Sequence, residues 1–118
     1  MAAGLIDLER IEELKEQIGT DIFKTLFSRY INEVEKMIVG LCETSAKNQD
    51  VSYLINEIHK VSGSSATFGA MEMQKILNQF ENLCKDGSAL MVICRLVELK
   101  EIWNASKQSY QDEGLLNA

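Results

Sequence analysis

Residues 20–46 read TDIFKTLFSRYINEVEKMIVGLCETSA, with no proline anywhere in the run. Ile22, Leu26, Tyr30, Val34, Met37, Ile38 and Leu41 recur through it at steps of three and four, the period of one face of an α-helix. At 1.5 Å per residue the run predicts a rod roughly 40 Å long carrying a single apolar stripe.

The flanks continue in the same style. Upstream, Leu8, Ile11, Leu14 and Ile18 form a second stripe. It predicts a short helix from Asp7 to Gln17, with Asp7 as N-cap and Gly19 as its break. Downstream, Asn48, Gln49 and Asp50 make a turn, with Asp50 placed to cap the third helix. Val51, Leu54, Ile55, Ile58 and Val61 mark that helix, and Gly69 suits its end because glycine takes the left-handed conformation cheaply. Met73, Ile76, Leu77, Phe80, Leu83 and Cys84 mark a fourth. Lys85 to Ser88 make a turn with Ser88 as the next cap, and Val92, Leu96, Leu99, Trp103 and Tyr110 mark a fifth at heptad-like spacing. The tail beyond Asp112 is expected to fray. Short loops between long amphipathic helices make consecutive helices antiparallel. The expected fold is therefore all-α, an up-down four-helix bundle with a short additional N-terminal helix, formed as one domain over residues 1–118 with its core at about 19–112.

Composition narrows the function. The chain has 118 residues, 46% of them hydrophobic, enough for a modest core. Its seven glycines and lack of proline favour uninterrupted helices. A net charge of -6 argues against nucleic acid, which needs a basic surface, and against an anionic membrane surface. No segment has the apolar length of a membrane span, and no basic region precedes an apolar one at the N-terminus as in a secretory signal. Cys42, Cys84 and Cys94 form no C-x-x-C pair, and with one histidine they make no standard zinc site unless a carboxylate joins from elsewhere. They are expected to be buried free thiols in a reducing, cytoplasmic setting.

The stretch Glu57 to Ala70, EIHKVSGSSATFGA, holds that single histidine. On a helix, the neighbours of His59 are Ser52, Ile55, Asn56, Ser62, Gly63 and Ala66. Only Ile55 is large and apolar, so the imidazole has no wall on its C-terminal side. A glycine inside a helix costs about 1 kcal/mol relative to alanine, a cost that open space beside His59 accounts for. An imidazole with an ordinary pKa of about 6.5 keeps one ring nitrogen unprotonated and nucleophilic at neutral pH. Ser64 and Ser65 are expected to let a neighbouring helix approach closely.

The order His59, Gly63, Ser64, Ser65, Gly69, Ala70 resembles the motif of the histidine-containing phosphotransfer (HPt) domains of two-component phosphorelays. The likeness is tight over Ile58 to Ala70 and loose over about Gly19 to Tyr110. It implies that His59 is the phosphoacceptor, through Nε2. It implies a protein that accepts a phosphoryl group from a receiver-domain aspartate, or from a sensor histidine kinase, and passes it to the receiver domain of a response regulator. The chain then needs no cofactor of its own, because the receiver brings the Mg²⁺ and most of the catalytic apparatus. Phosphoryl transfer is mainly positioning and charge stabilisation, and the chain has no nucleotide-binding loop with which to phosphorylate itself. It is expected to act as a monomer and, beginning at Met1, as a free-standing protein.

One position departs from the motif. The family has lysine three residues after the histidine, where this chain has Ser62, which donates a neutral bond and no charge. Lys60 has a stem that can swing toward the phosphoryl group, or it is a solvated surface residue. Counting along the motif puts Glu81, near Gln79 and Asn82, where the family often has a glutamine beside the histidine. Glu81 either orients the imidazole or is a surface carboxylate. Ser62, Gly63, Lys60 and Glu81 are thus the expected phosphoryl neighbours, and Ile22, Ile55, Asn56 and Gly63 the expected docking residues. The alternative function is a non-catalytic HPt-like adaptor or kinase inhibitor that binds a receiver or kinase without carrying phosphate. A self-contained enzyme would need a second catalytic group near His59, for which only Glu81 offers itself.

Overall fold

The computed structural model describes residues 5–116, in which every regular element is helical. The helices are α1 Leu8–Ile18, α2 Thr20–Ala46, α3 Ile55–Thr67, α4 Met71–Lys85, α5 Ala89–Cys94 and α6 Leu96–Asp112, with a 3₁₀ turn at Ser52–Leu54 before α3. Residues 1–4, which include Met1, and 117–118 lie outside this description.

The long α2 run has the bounds its periodicity predicts. Asp7 caps α1, accepting the Arg10 amide at 3.2 Å, and Gly19, at φ +87°, separates α1 from α2. Asp50 accepts the amide and hydroxyl of Ser52 in a local turn but does not cap the third helix as expected, because a 3₁₀ turn intervenes and Leu54 stands at the N-cap of α3 with no side-chain bond. Further expectations need correction. The fifth helix is two helices, because Arg95 leaves helical geometry at φ -107°, ψ 12° and its amide bonds back only three residues, to Val92. Val92, Leu96 and Leu99 are buried on both sides of this kink, so the apolar spacing runs through it unmarked. Ser88 makes no side-chain cap; its backbone carbonyl takes the Met91 amide instead. The tail does not fray over residues 113–116. Gly114, at φ +74°, lets the Leu115 amide reach the Tyr110 carbonyl at 2.9 Å, and Leu115 and Leu116 pack on the core; residues 117–118 lie outside the described part.

Side-chain pairs set the register of the core. Tyr30 pairs with Ser65, Glu33 with Lys60, and Gly40 lies against Leu54, so α2 and α3 run in opposite directions. Phe27 meets Tyr110 edge-on at 4.8 Å, and Trp103 donates its indole N–H to Glu35 at 2.9 Å, so α2 and α6 do likewise. Phe68 stacks on Tyr30 with ring centroids 5.1 Å apart. The polar ends of the buried aromatics are satisfied. The Tyr30 and Ser65 hydroxyls share a hydrogen bond at 2.8 Å, and Tyr110 donates to the Phe68 carbonyl at 2.8 Å. Burial pushes both phenol pKa values above the usual range, which keeps both hydroxyls protonated. Ser65 is fully buried, whereas Ser64 is only half-buried. Ser65 thus does more than permit close packing, since its hydroxyl is hydrogen-bonded to a buried tyrosine.

The segment before α1 is tied to the turn between α3 and α4. Ile6 and Ala70 form an antiparallel bridge, with the Asp7 amide bonded to the Gly69 carbonyl at 2.8 Å and the Met71 amide to the Leu5 carbonyl at 3.0 Å. Gly69 has φ +68° and closes α3, while the Ala70 amide reaches back to the Ser65 carbonyl at 2.8 Å. With the Gly69 amide bonded to the Ala66 carbonyl at 3.3 Å, this pair of bonds and the left-handed residue after the cap make a Schellman helix end.

Among the described residues the thiols are free, as expected, but only Cys84 is buried. Cys42 is half-buried and Cys94 is exposed on α5, which corrects the expectation that all three are buried. Among the described residues no helix is long and apolar enough to cross a membrane.

Candidate functional site

His59 stands one turn into α3, and its side chain is 74% exposed. The ring leans toward α4, where its Nδ1 lies 2.8 Å from Glu81 Oε2. Glu81 is much less accessible, at 12%. An ionised carboxylate only accepts, so Nδ1 carries the hydrogen and donates it. The other nitrogen, Nε2, is then the one with the free lone pair, on a ring held at one edge and open at the other. This bond holds the Glu81 carboxyl below the usual glutamate range. Desolvation opposes the shift and a second bond, from Lys85, adds to it.

A second rung joins the same two helices one turn along. Ser62 is buried, and its hydroxyl donates to Asn78 Oδ1 at 2.6 Å. The two rungs, His59 to Glu81 and Ser62 to Asn78, keep one antiparallel register between α3 and α4. Ser62 thus lies on the inner edge of the site with its single proton already donated. Lys85, one turn after Glu81, places its ammonium 3.0 Å from Glu81 Oε2, the oxygen that also receives His59.

The remaining expected residues are spread more widely. A Cβ at Gly63 would meet nothing within 4 Å, so the surface beside His59 is open there. Lys60 turns the other way round α3 and lies 3.6 Å from Glu33 of α2. Ile55 is half-buried and Asn56 exposed, both within a turn of His59. Ile22 is 56% exposed, but the α2–α3 register puts it level with the turn after α3. His59 is level with α2 positions near 35, about 20 Å further along the axis. The structure brings together His59, Ser62, Gly63 and Glu81 and leaves Lys60 and Ile22 outside that group. Gln79 and Asn82 are both exposed and take no part in it. Asn78 and Lys85 belong to the group but went unread in the sequence. Their signal was helical spacing from Glu81, three residues before and four after.

The Hpt domain family model matches residues 7–109 of the chain. A curated relative, the phosphorelay protein LuxU of Vibrio vulnificus, is 26% identical over 106 residues, covering 90% of this chain and 91% of its own. LuxU of Vibrio harveyi is 31% identical over 70 residues, covering 59% of this chain and 60% of its own. The histidine-containing phosphotransfer protein 1 of rice, Oryza sativa subsp. japonica, is 26% identical over 90 residues, covering 74% and 61%. No solved structure matches the chain significantly.

Proposed function

The chain belongs to the Hpt domain family, and we propose that it is a phosphorelay protein whose carrier is His59. The observation that carries this reading is the imidazole itself, fixed through Nδ1 by Glu81 and open at Nε2. In the forward step the Nε2 lone pair attacks the phosphorus of a receiver's aspartyl phosphate. The N–P bond forms, the P–O bond breaks, and its electron pair leaves on the aspartate carboxylate. Nδ1 keeps its hydrogen throughout, so the product ring is cationic and faces the Glu81 carboxylate. Onward transfer to a response regulator reverses these events, and the ring departs as a neutral imidazole. Glu81 therefore positions the nucleophile and balances the charge that forms on it.

The receiver supplies the Mg²⁺ and the groups around the transferring phosphorus, and a sensor histidine kinase stands upstream, joined to a receiver or separate. The partner docks over α3 around His59, using Ile55, Asn56 and Gly63, with Ile22 at the far margin. The protein works in the cytoplasm as a monomer, one domain built as an up-down bundle of α2, α3, α4 and α5–α6 with α1 across one end. The opposed directions of α2 against α3, α3 against α4 and α2 against α6 support that arrangement.

The test is transfer of acid-labile label from a phosphorylated receiver domain to the wild type and to His59→Ala. Label on the wild type alone is the expected result. No label on either, with stable binding to receivers retained, would replace the carrier by a binding adaptor, the reading to which the absent lysine lends some weight.

A further inference from the structure

We infer that Lys85, on the helix facing His59, supplies the positive charge that the phosphorylated site needs in place of the missing motif lysine. The inference rests on the reading of His59 as carrier and deepens it. A phosphoryl group brings about two negative charges. Set beside the Glu81 carboxylate, it makes an anion cluster that one imidazolium leaves uncompensated.

The nearby alternatives are already committed. Position 62 holds a buried serine whose hydroxyl is donated to Asn78 at 2.6 Å. Lys60, adjacent to His59 in sequence, is drawn toward α2, with its ammonium 3.6 Å from Glu33. Lys85 alone among these points into the site. Its Nζ lies 3.0 Å from Glu81 Oε2, the same oxygen that receives His59 Nδ1 at 2.8 Å. Ammonium and imidazole are separated by a single carboxylate oxygen.

The Lys85 side chain is 59% exposed, and its flexible four-carbon stem lets the ammonium pass from Glu81 to the phosphoryl oxygens without disturbing α4. Before phosphorylation Lys85 neutralises Glu81. Afterwards the imidazolium takes over that task and Lys85 is released to the new anion. The cation lost from α3 at Ser62 is thus provided across the helix pair, from α4.

The test is the lifetime of phosphohistidine on protein separated from its donor, in the wild type, Lys85→Met, Lys85→Arg and Lys85→Met combined with Ser62→Lys. The half-life is expected to fall about three- to fivefold in Lys85→Met, the scale of an exposed charge pair. It should stay near the wild-type value with arginine and recover when lysine is placed at position 62. Urea unfolding of each variant separates loss of charge from loss of fold. A wild-type half-life in a folded Lys85→Met protein overturns the inference and leaves His59 as carrier. Equal loss in the methionine and arginine variants also overturns it, because charge is then not what matters. Absence of label from every protein, wild type included, strikes at the carrier reading itself, and the inference falls with it.

Discussion

Gly69→Ala tests how the motif holds its shape. Gly69 sits at φ +68°, and a Cβ built there would lie 2.8 Å from the Asp7 carbonyl oxygen, 3.2 Å from the Asp7 nitrogen and 3.3 Å from Ile11 Cγ1. The left-handed conformation costs a residue with a Cβ about 1–2 kcal/mol. Two of the three contacts are backbone atoms that cannot swing aside, and the Asp7 amide is itself bonded to the Gly69 carbonyl at 2.8 Å. Relieving the overlap means moving the segment before α1, an overpacking cost of about 1–3 kcal/mol. The sum, about 3 kcal/mol, is to be compared with Gly87→Ala, where φ is +80° but nothing lies within 4 Å. That control carries only the conformational cost, so both variants share the same unfolded-state contribution and their difference isolates the packing. With a urea slope of about 1.5 kcal/mol per molar, the midpoint should fall by about 2 M for Gly69→Ala and by about 1 M for Gly87→Ala. Equal shifts at unchanged slope would refute the claim that the N-terminal segment is clamped onto the motif.

Two further expectations concern the site. Gly63→Gln should abolish or cut transfer about tenfold or more, since a small displacement of reacting groups is costly. It should leave the protein as stable as wild type or up to about 1 kcal/mol more so, because glutamine is the better helix former and the space is open; normal transfer would refute docking over this surface. The Glu81 carboxyl is held below its usual value in the folded protein, so its stabilising contribution is present above the unfolded glutamate pKa of about 4.3. That contribution is lost as pH falls through the lowered folded value. The stability gap between wild type and Glu81→Gln, followed by urea unfolding, should therefore close on acidification below pH about 4, and a gap that widens there would contradict the ion pair.

Periodicity carried most of the fold because each helix has one apolar face. The bounds of α2 and the Asp7 cap of α1 arise from local chemistry that needs no distant partner. The break at Arg95 did not show, since a single residue leaving helical geometry keeps Val92, Leu96 and Leu99 on the buried side. The ordered tail had a visible cause in Gly114, a glycine just beyond the last periodic residue, but the packing of Leu115 and Leu116 depends on what lies opposite. At the site, His59 and Gly63 stood out through rarity and spacing, and Glu81 came from the family resemblance. Which way Lys60 and Lys85 turn was not legible. A lysine pairs with whichever carboxylate lies within reach, Glu33 from α2 in one case and Glu81 within α4 in the other. The paired rungs between α3 and α4 required the register of the two helices.

Those rungs also bear on how the molecule takes shape. Their partners are 16 and 22 residues apart in sequence, so the loops to be closed are short and the entropy lost in closing them is small. Contacts this local favour rapid folding. During synthesis the chain has every atom of the His59 cluster once Lys85 has emerged, before α6 exists. The aromatic contacts of Phe27 and Tyr30 with Tyr110 and Trp103 arrive last and span most of the chain. The reactive hairpin therefore takes form early, and the late contacts set its permanence.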